Sequence, residues 1–330
     1  MTAPVFLLDL PHHRMVELIG STDAPVFVAV NPVEFHGPHL SLHNDRLVTE
    51  GLSRDLHAAL AERRSGSYPY LVAHDLELGA EPCSGPGTRH ITYASLREAL
   101  LETVRALAEV GAKKLVINTF HGGGLHNLAI EAACDAFERA GGRAFAPLAV
   151  ALQSMVDFDD ALLADPLSTL PEPERSRVRE TLRFDFHAGW LETSLALHYA
   201  PDSVSPEHRS LSPAPSLGRD RAIGLASRVA KRLGAASISA ELDFLASAAT
   251  WTKMRPFLGY TGHPALATRE AGRRIASRFV ARYVELGEAV LYGAAPSPRA
   301  PFRYLPALTL GGRLEPTFVP TSDVATTIRG

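Results

Sequence analysis

Cysteine is nearly missing from this chain. Only Cys83 and Cys134 occur, far apart and in no CxxC or zinc-ribbon spacing, so a reducing, cytoplasmic setting is expected. Long apolar runs are missing too. No stretch reaches the roughly 20 apolar residues that span a bilayer, and the amino-terminal run is broken by Asp9, Pro11 and two histidines, unlike a secretory signal. There is no lysine-arginine tract, and a formal net charge of −3 with a pI near 6.5 gives no general attraction to phosphate backbones or anionic lipid. Nucleic acid and membrane are therefore not expected partners. Internal repeats and low-complexity tracts are also lacking. What remains is a chain of 330 residues, 46% hydrophobic and 21% charged, enough to bury a large core in one large domain or two small ones.

The first 150 residues alternate short apolar runs with amphipathic stretches, the pattern of a parallel sheet covered by helices on both faces. Strands are expected over 25–30, 70–73, 114–118 and 143–150. Helices are expected over 46–63, 95–110 and 125–140, with Gly111 and Gly141 placed as stops. Beyond 150 the pattern loosens. Pro166, Pro171 and Pro173 break the chain ahead of a helix expected near Trp190, and 201–217 is rich in Ser and Pro. Such stretches serve as binding loops, lids or subunit contacts, or as plain surface insertions. A long amphipathic helix is expected over 265–292.

Three segments carry groups capable of chemistry. Residues 31–45 (NPVEFHGPHLSLHND) place one Glu, three His and one Asp just past a buried strand, where open α/β sheets form their ligand crevice. Glu34 and His36 are two apart, so in extended chain both side chains fall on one side and can converge on a cation. The bland alternative is that Asp45 N-caps the helix beginning at Arg46. His39 and His43 read as supporting or surface residues. Residues 116–124 (VINTFHGGG) also follow an apolar strand. They match neither GxGxxG nor GxxxxGK[ST], so His121 is better read as a metal ligand or catalytic base than as part of a phosphate loop. Residues 184–194 (FDFHAGWLETS) offer His187 and Glu192, although taken alone Glu192 and Thr193 look like an ordinary helical first turn.

Taken together, these segments resemble the creatininase family of creatinine amidohydrolase-like hydrolases. Its E-x-H-G-x-H-x-x…D segment is matched by Glu34, His36, Gly37, His39 and Asp45. Its N-G-H-G-G-N turn resembles 118–124, and its H-[AG]-G-x-x-E-T-S motif is matched by His187, Gly189, Glu192, Thr193 and Ser194. Its carboxy-terminal G-D-P-x-x-A-T-x-E-x-G stretch resembles 262–272 (GHPALATREAG). The resemblance implies a three-layer α/β/α sandwich with a mostly parallel central sheet, frequently assembled as a homo-oligomer, a homohexamer. It places one domain over 1–295, with loop insertions near 157–185 and 201–255 and a C-terminal extension over 296–330. It also implies a centre of one or two divalent metals, Zn, Mn or Fe. Glu34, Asp45 and His121 would hold the first ion, and His36 with a bridging Asp45 would begin a second.

Two positions depart from the family pattern. Where relatives carry a second-metal carboxylate, this chain has Gly123 and Trp190, which leaves Glu192 or a loop residue to supply it or leaves a single ion. The Trp-Asp-Phe stretch of creatinine hydrolases has its nearest match in Val156, Asp157 and Phe158, so creatinine is not the expected substrate.

The implied activity is hydrolysis of a C–N amide bond of a small molecule, peptide-like or not, by a metal-activated water. His187 is the candidate general acid–base, and Glu192 either orients it or binds metal. The rival reading is a metal-binding family member with a binding or assembly role, motivated by the missing carboxylates. A lyase or isomerase using the same metal is a third.

Overall fold

The computed structural model describes residues 2–157, 162–314 and 318–328. A short strand β1 (Pro4–Phe6) leads to α1 (His12–Gly20) and then to β2 (Val26–Val30), whose sequence VFVAV is rich in β-branched residues that suit a pleated, buried surface. The chain continues through α2 (Asn44–Ala61), β3 (Tyr70–Leu76), α3 (Tyr93–Glu109), β4 (Lys114–Asn118), α4 (Gly124–Arg139) and β5 (Arg143–Phe145). Helices follow: α5 (Leu148–Asp157), α6 (Ala164–Leu167), α7 (Glu174–Thr181), α8 (Trp190–Tyr199), α9 (Arg221–Arg232), α10 (Ala236–Trp251), α11 (Arg269–Leu291) and α12 (Leu305–Leu308).

The five strands form one parallel sheet in the order β1-β3-β2-β4-β5, with Val26 opposite both Leu71 and Leu115. Side chains alternate across it. Val26, Val28, Val30, Leu71, Leu115 and Ile117 join a core with Leu96 and Leu100 of α3 and Ile130 and Phe137 of α4. Phe27, Val116 and Phe145 join the opposite core with Leu52 and Leu56 of α2, Trp190 and Leu195 of α8, and Ile275 and Phe279 of α11. Both faces are covered, giving the expected three-layer α/β/α arrangement and explaining why the strands read as unbroken apolar runs.

The chain steps from β2 to β3 on one side and then crosses to β4 on the other. The carboxyl end of β2 is thus flanked by those of β3 and β4, which brings the segments after the three strands together at a topological switch point.

Some expectations need correction. The run over 143–150 is strand only to Phe145. Pro147 lacks an N–H for the ladder, and the apolar residues after it belong to α5. β3 runs on to Leu76. Asp45 is not an N-cap: α2 begins a residue earlier, behind His43, and Asp45 lies inside its first turn. β1 and α1 were not anticipated, and residues 221–251 form the α9–α10 hairpin. In the Val156-Asp157-Phe158 match, the Asp157 side chain and Phe158 lie outside the described residues.

Candidate metal centre

The switch point gathers every residue singled out above for catalysis or metal binding. Glu34 and His36 lie on the segment after β2, Asp45 in the first turn of α2, His121 on the turn after β4, His187 ahead of α8, and Glu192 in the first turn of α8. All six are buried, none more than 7% exposed. Three overlapping groups have ligand atoms within 4.8 Å of one another: Glu34, Asp45 and His121; His36, Asp45 and Glu192; and Glu34, His36 and His187. Asp45 is shared by the first two.

Backbone carbonyls decide how the imidazoles face this cluster. His36 Nδ1 lies 3.1 Å from the carbonyl oxygen of Glu34, His121 Nε2 lies 3.0 Å from that of Ala80, and His187 Nε2 lies 2.8 Å from that of Phe35. A carbonyl only accepts, so each of these nitrogens donates, and the other ring nitrogen of a neutral imidazole carries a lone pair. For His36 that is Nε2, 3.0 Å from Asp45 Oδ1, 3.6 Å from Glu34 Oε1 and 3.7 Å from Glu192 Oε2. For His121 it is Nδ1, 2.9 Å from Glu34 Oε1 and 3.6 Å from Asp45 Oδ2. Lone pairs thus face carboxylates, an arrangement that repels unless a proton or a cation lies between them.

Proton affinities express the same demand. Burial works to lower His36, but Asp45, Glu34 and Glu192 overcome it and lift the imidazole to about 10. His121 is raised in the same way, against burial, by Glu34 and Asp45. Asp45 is held well below the usual carboxylate range, since His36 and His121 outweigh its burial. Burial lifts Glu192 to about 8 even though His36 pulls it down. His187 is pushed down to about 3 by burial and by the charge of His36. The raised imidazoles and the lowered Asp45 mark a place that favours positive charge. One buried acceptor, Asp45 Oδ2, has no hydrogen-bond partner at all. The donor set of imidazoles and carboxylates suits Zn, Mn or Fe, so the residues fit a divalent ion.

Supporting contacts hold the ligating groups in place. The Cys83 N–H donates to Glu34 Oε2, and the Ala188 N–H donates to Glu192 Oε2 at 2.6 Å from a residue in the left-handed region, φ +47°. Asp185 Oδ2 accepts from the Trp190 N–H at 2.9 Å, fixing the start of α8. His39 is buried and bonds Thr193 Oγ1 at 3.0 Å, in keeping with a supporting role, while His43 lies at the half-exposed rim, 3.4 Å from Glu77. Gly123 cannot carry the carboxylate found there in creatinine hydrolases. A Cβ at this position would lie 2.5 Å from His121 Nε2 and 3.0 Å from the Ala80 carbonyl oxygen. Trp190 is likewise no candidate, being fully buried in the α2–α8–α11 core. Besides Asp45 and Glu34, Glu192 is a third carboxylate within reach of His36, with Oε2 3.7 Å from Nε2.

Sequence reasoning missed Trp251, whose ring centroid lies 5.2 Å from that of His187, and it missed the Ala80 and Cys83 backbone groups. No motif marks them.

The family model for creatininase (creatinine amidohydrolase) matches residues 14–286. The chain belongs to the creatininase family. Membership makes it a metal-dependent amidohydrolase by class. Among solved structures, a manganese creatininase is 19% identical, with a TM-score of 0.58 over 87% of this chain and 98% of that one. A mutant creatininase of the Zn-Zn type is 17% identical with the same TM-score and coverage. A putative creatinine amidohydrolase from Bacteroides fragilis NCTC 9343 is 22% identical, with a TM-score of 0.53 over 82% of this chain and 91% of that one. At these identities the structural likeness establishes a common fold. No curated protein resembles the chain in sequence. Among the described residues no helix is long and apolar enough to cross a membrane.

Proposed function

We propose that this creatininase-family chain hydrolyses a C–N amide bond of a small molecule at a two-ion centre. Glu34, Asp45 and His121 would hold one divalent ion and His36, Asp45 and Glu192 the second, with Asp45 shared. The observation that carries this reading is the set of carbonyl-bound imidazoles whose lone pairs face buried carboxylates. The manganese and Zn-Zn forms among the structural neighbours support a divalent metal. Bound there, the metal supplies Lewis acidity, polarising a carbonyl and lowering the pKa of water.

The chain's own residues do the rest. His187, with Nε2–H committed to the Phe35 carbonyl, keeps Nδ1 as its base. It takes a proton from the attacking water, whose oxygen bonds to the amide carbon, and returns that proton to the leaving nitrogen as the C–N bond breaks. The stacked His36 ring, centroid 4.4 Å away, and the Trp251 ring hold His187 in place. Burial excludes bulk water from the cluster, which strengthens each charge interaction within it. Glu192, with Oε2 3.7 Å from His36 Nε2, supports this reading over a non-hydrolytic, metal-binding role, whose motive is the missing carboxylates at Gly123 and Trp190.

The test is metal content of protein purified without chelator, together with turnover of an amide panel in ¹⁸O-water. About two ions per chain with solvent oxygen in the carboxylate product supports the proposal. No metal uptake, or turnover without solvent oxygen in the product, overturns it.

A further inference from the structure

An amphipathic helix on a globular protein normally buries its apolar stripe and turns its polar side outward. Helix α9 does the opposite. The side it packs on α10 is made of small residues: Gly224 and Ser227 are buried there, and Ser227 hydrogen-bonds across to Ser239 and Asp243. Its large aliphatic residues face away. Leu225 is 56% exposed, Val229 46% and Leu233, just past the helix, 79%, while Ile238 in the first turn of α10 adds another at 45%.

Leu225, Val229 and Leu233 stand four residues apart and so form one ridge along the helix. Beside the ridge runs a second row of the same spacing, Ala222, Ala226 and Ala230, whose short side chains leave a groove. On the ridge's other side lie Arg221, Arg228, Lys231 and Arg232, all exposed. Among the described residues none of these four has an ion-pair partner. The carboxylates nearest in sequence are engaged elsewhere: Asp220 caps α9 and pairs with Lys253, Asp243 pairs with Arg219, and buried Glu241 accepts the Phe302 N–H at 2.9 Å.

We infer that the exposed face of α9 is a docking surface for an acidic amphipathic helix, whose aliphatic side chains enter the alanine groove and whose carboxylates meet the four cations. A ridge beside a groove is the surface on which a second helix packs at a fixed crossing, and a bilayer requires no such relief. The ridge from Leu225 to Leu233 is about 12 Å long, a little over two turns. That length accommodates the anchors of a groove-bound helix. Charge opposes self-docking, since an antiparallel two-fold contact of α9 with a second copy sets the same cationic edge of each against the other.

The experiment titrates the full chain by fluorescence anisotropy against a synthetic helix of about 18 residues that carries one leucine stripe edged with glutamate. A Kd on the order of 10–100 µM is expected. Leu225→Ser with Leu233→Ser is expected to weaken it by about tenfold or more. Both positions are exposed, so the variant keeps its fold, checked by circular dichroism and metal content. Arg228→Glu with Arg232→Glu is expected to transfer the preference from the glutamate peptide to its lysine counterpart, which separates charge-matched docking from general stickiness. No binding at about 1 mM peptide, equal binding of the two peptides by native protein, or an unchanged preference in the charge-reversed variant overturns the inference. So does self-association in sedimentation, or adsorption to phosphatidylglycerol vesicles, that native protein shows and the serine variant loses, because the face then serves a second copy or a membrane.

Discussion

Glu34, His36, Asp45 and His121 come from segments that follow adjacent strands, whereas Trp251, whose ring lies against His187, and Phe257, Val319 and Val324, which cluster with it, come from segments with no strand behind them. The first group is placed by the carboxyl ends of the central sheet. The second is held by a helix end, a loop and a tail joined through two backbone hydrogen bonds and one partly exposed ion pair. The difference suggests a division of labour. A floor of clustered carboxylates and imidazoles takes its spacing from the register of the sheet, while a wall built of helix end, loop and tail can change without disturbing that floor.

The sharpest way to break this comparison is to attack the floor. Asp45→Ala removes the shared carboxylate and is expected to strip the metal and lower kcat on the order of 10³-fold or more, as loss of several kcal/mol of charge stabilisation requires. Elemental analysis and steady-state kinetics check it. His187→Asn is expected to leave metal content unchanged and to lower kcat by about 10²–10⁴-fold, the usual contribution of a general acid–base. If it loses metal instead, His187 belongs to the ligand set with Glu34 and His36. Glu192→Gln is expected to lower stoichiometry from about two ions to about one, because a neutral amide is a poor replacement for a carboxylate ligand.

Smaller effects sharpen the contrast between sheet and periphery. Leu71 in β3 is fully buried, and Leu71→Ala is expected to cost about 2–5 kcal/mol in denaturant unfolding. Leu233, just past α9, is 79% exposed, and Leu233→Ala is expected to stay within about 0.5 kcal/mol. His39 supplies a pH test. Burial, together with His208 and His36, pushes its imidazole down to about 3. The unfolded chain then binds the extra proton first, so this residue's contribution to stability declines as pH falls below about 6.5. The stability gap between native protein and His39→Asn is expected to narrow between pH 7 and 4.

The floor was legible because Glu34, His36 and Asp45 are close in sequence and His121 follows the next strand over, where apolar runs announce the strands and polar side chains announce the crevice. Glu192 was only half legible. A glutamate in a helical first turn is commonplace, and its reach toward His36 depends on where α8 packs. The run over 143–150 was misread because apolar residues suit both a buried strand and a buried helix, and Pro147 is what divides them. Trp251 carried no signal. Its contact with His187 links residues 64 positions apart and exists only once the end of α10 meets the segment ahead of α8.

By itself the sequence determined the alternation of strand and helix, the burial of both sheet faces and the identity of the groups able to carry charge, since each of these depends on local spacing and side-chain chemistry. Only the tertiary structure decided that Glu192 would lie within 3.7 Å of His36, which nitrogen of each histidine faces the carboxylates, and which aromatic residue lies against His187. Those outcomes depend on distances between chain segments that meet only after helices have packed on the sheet.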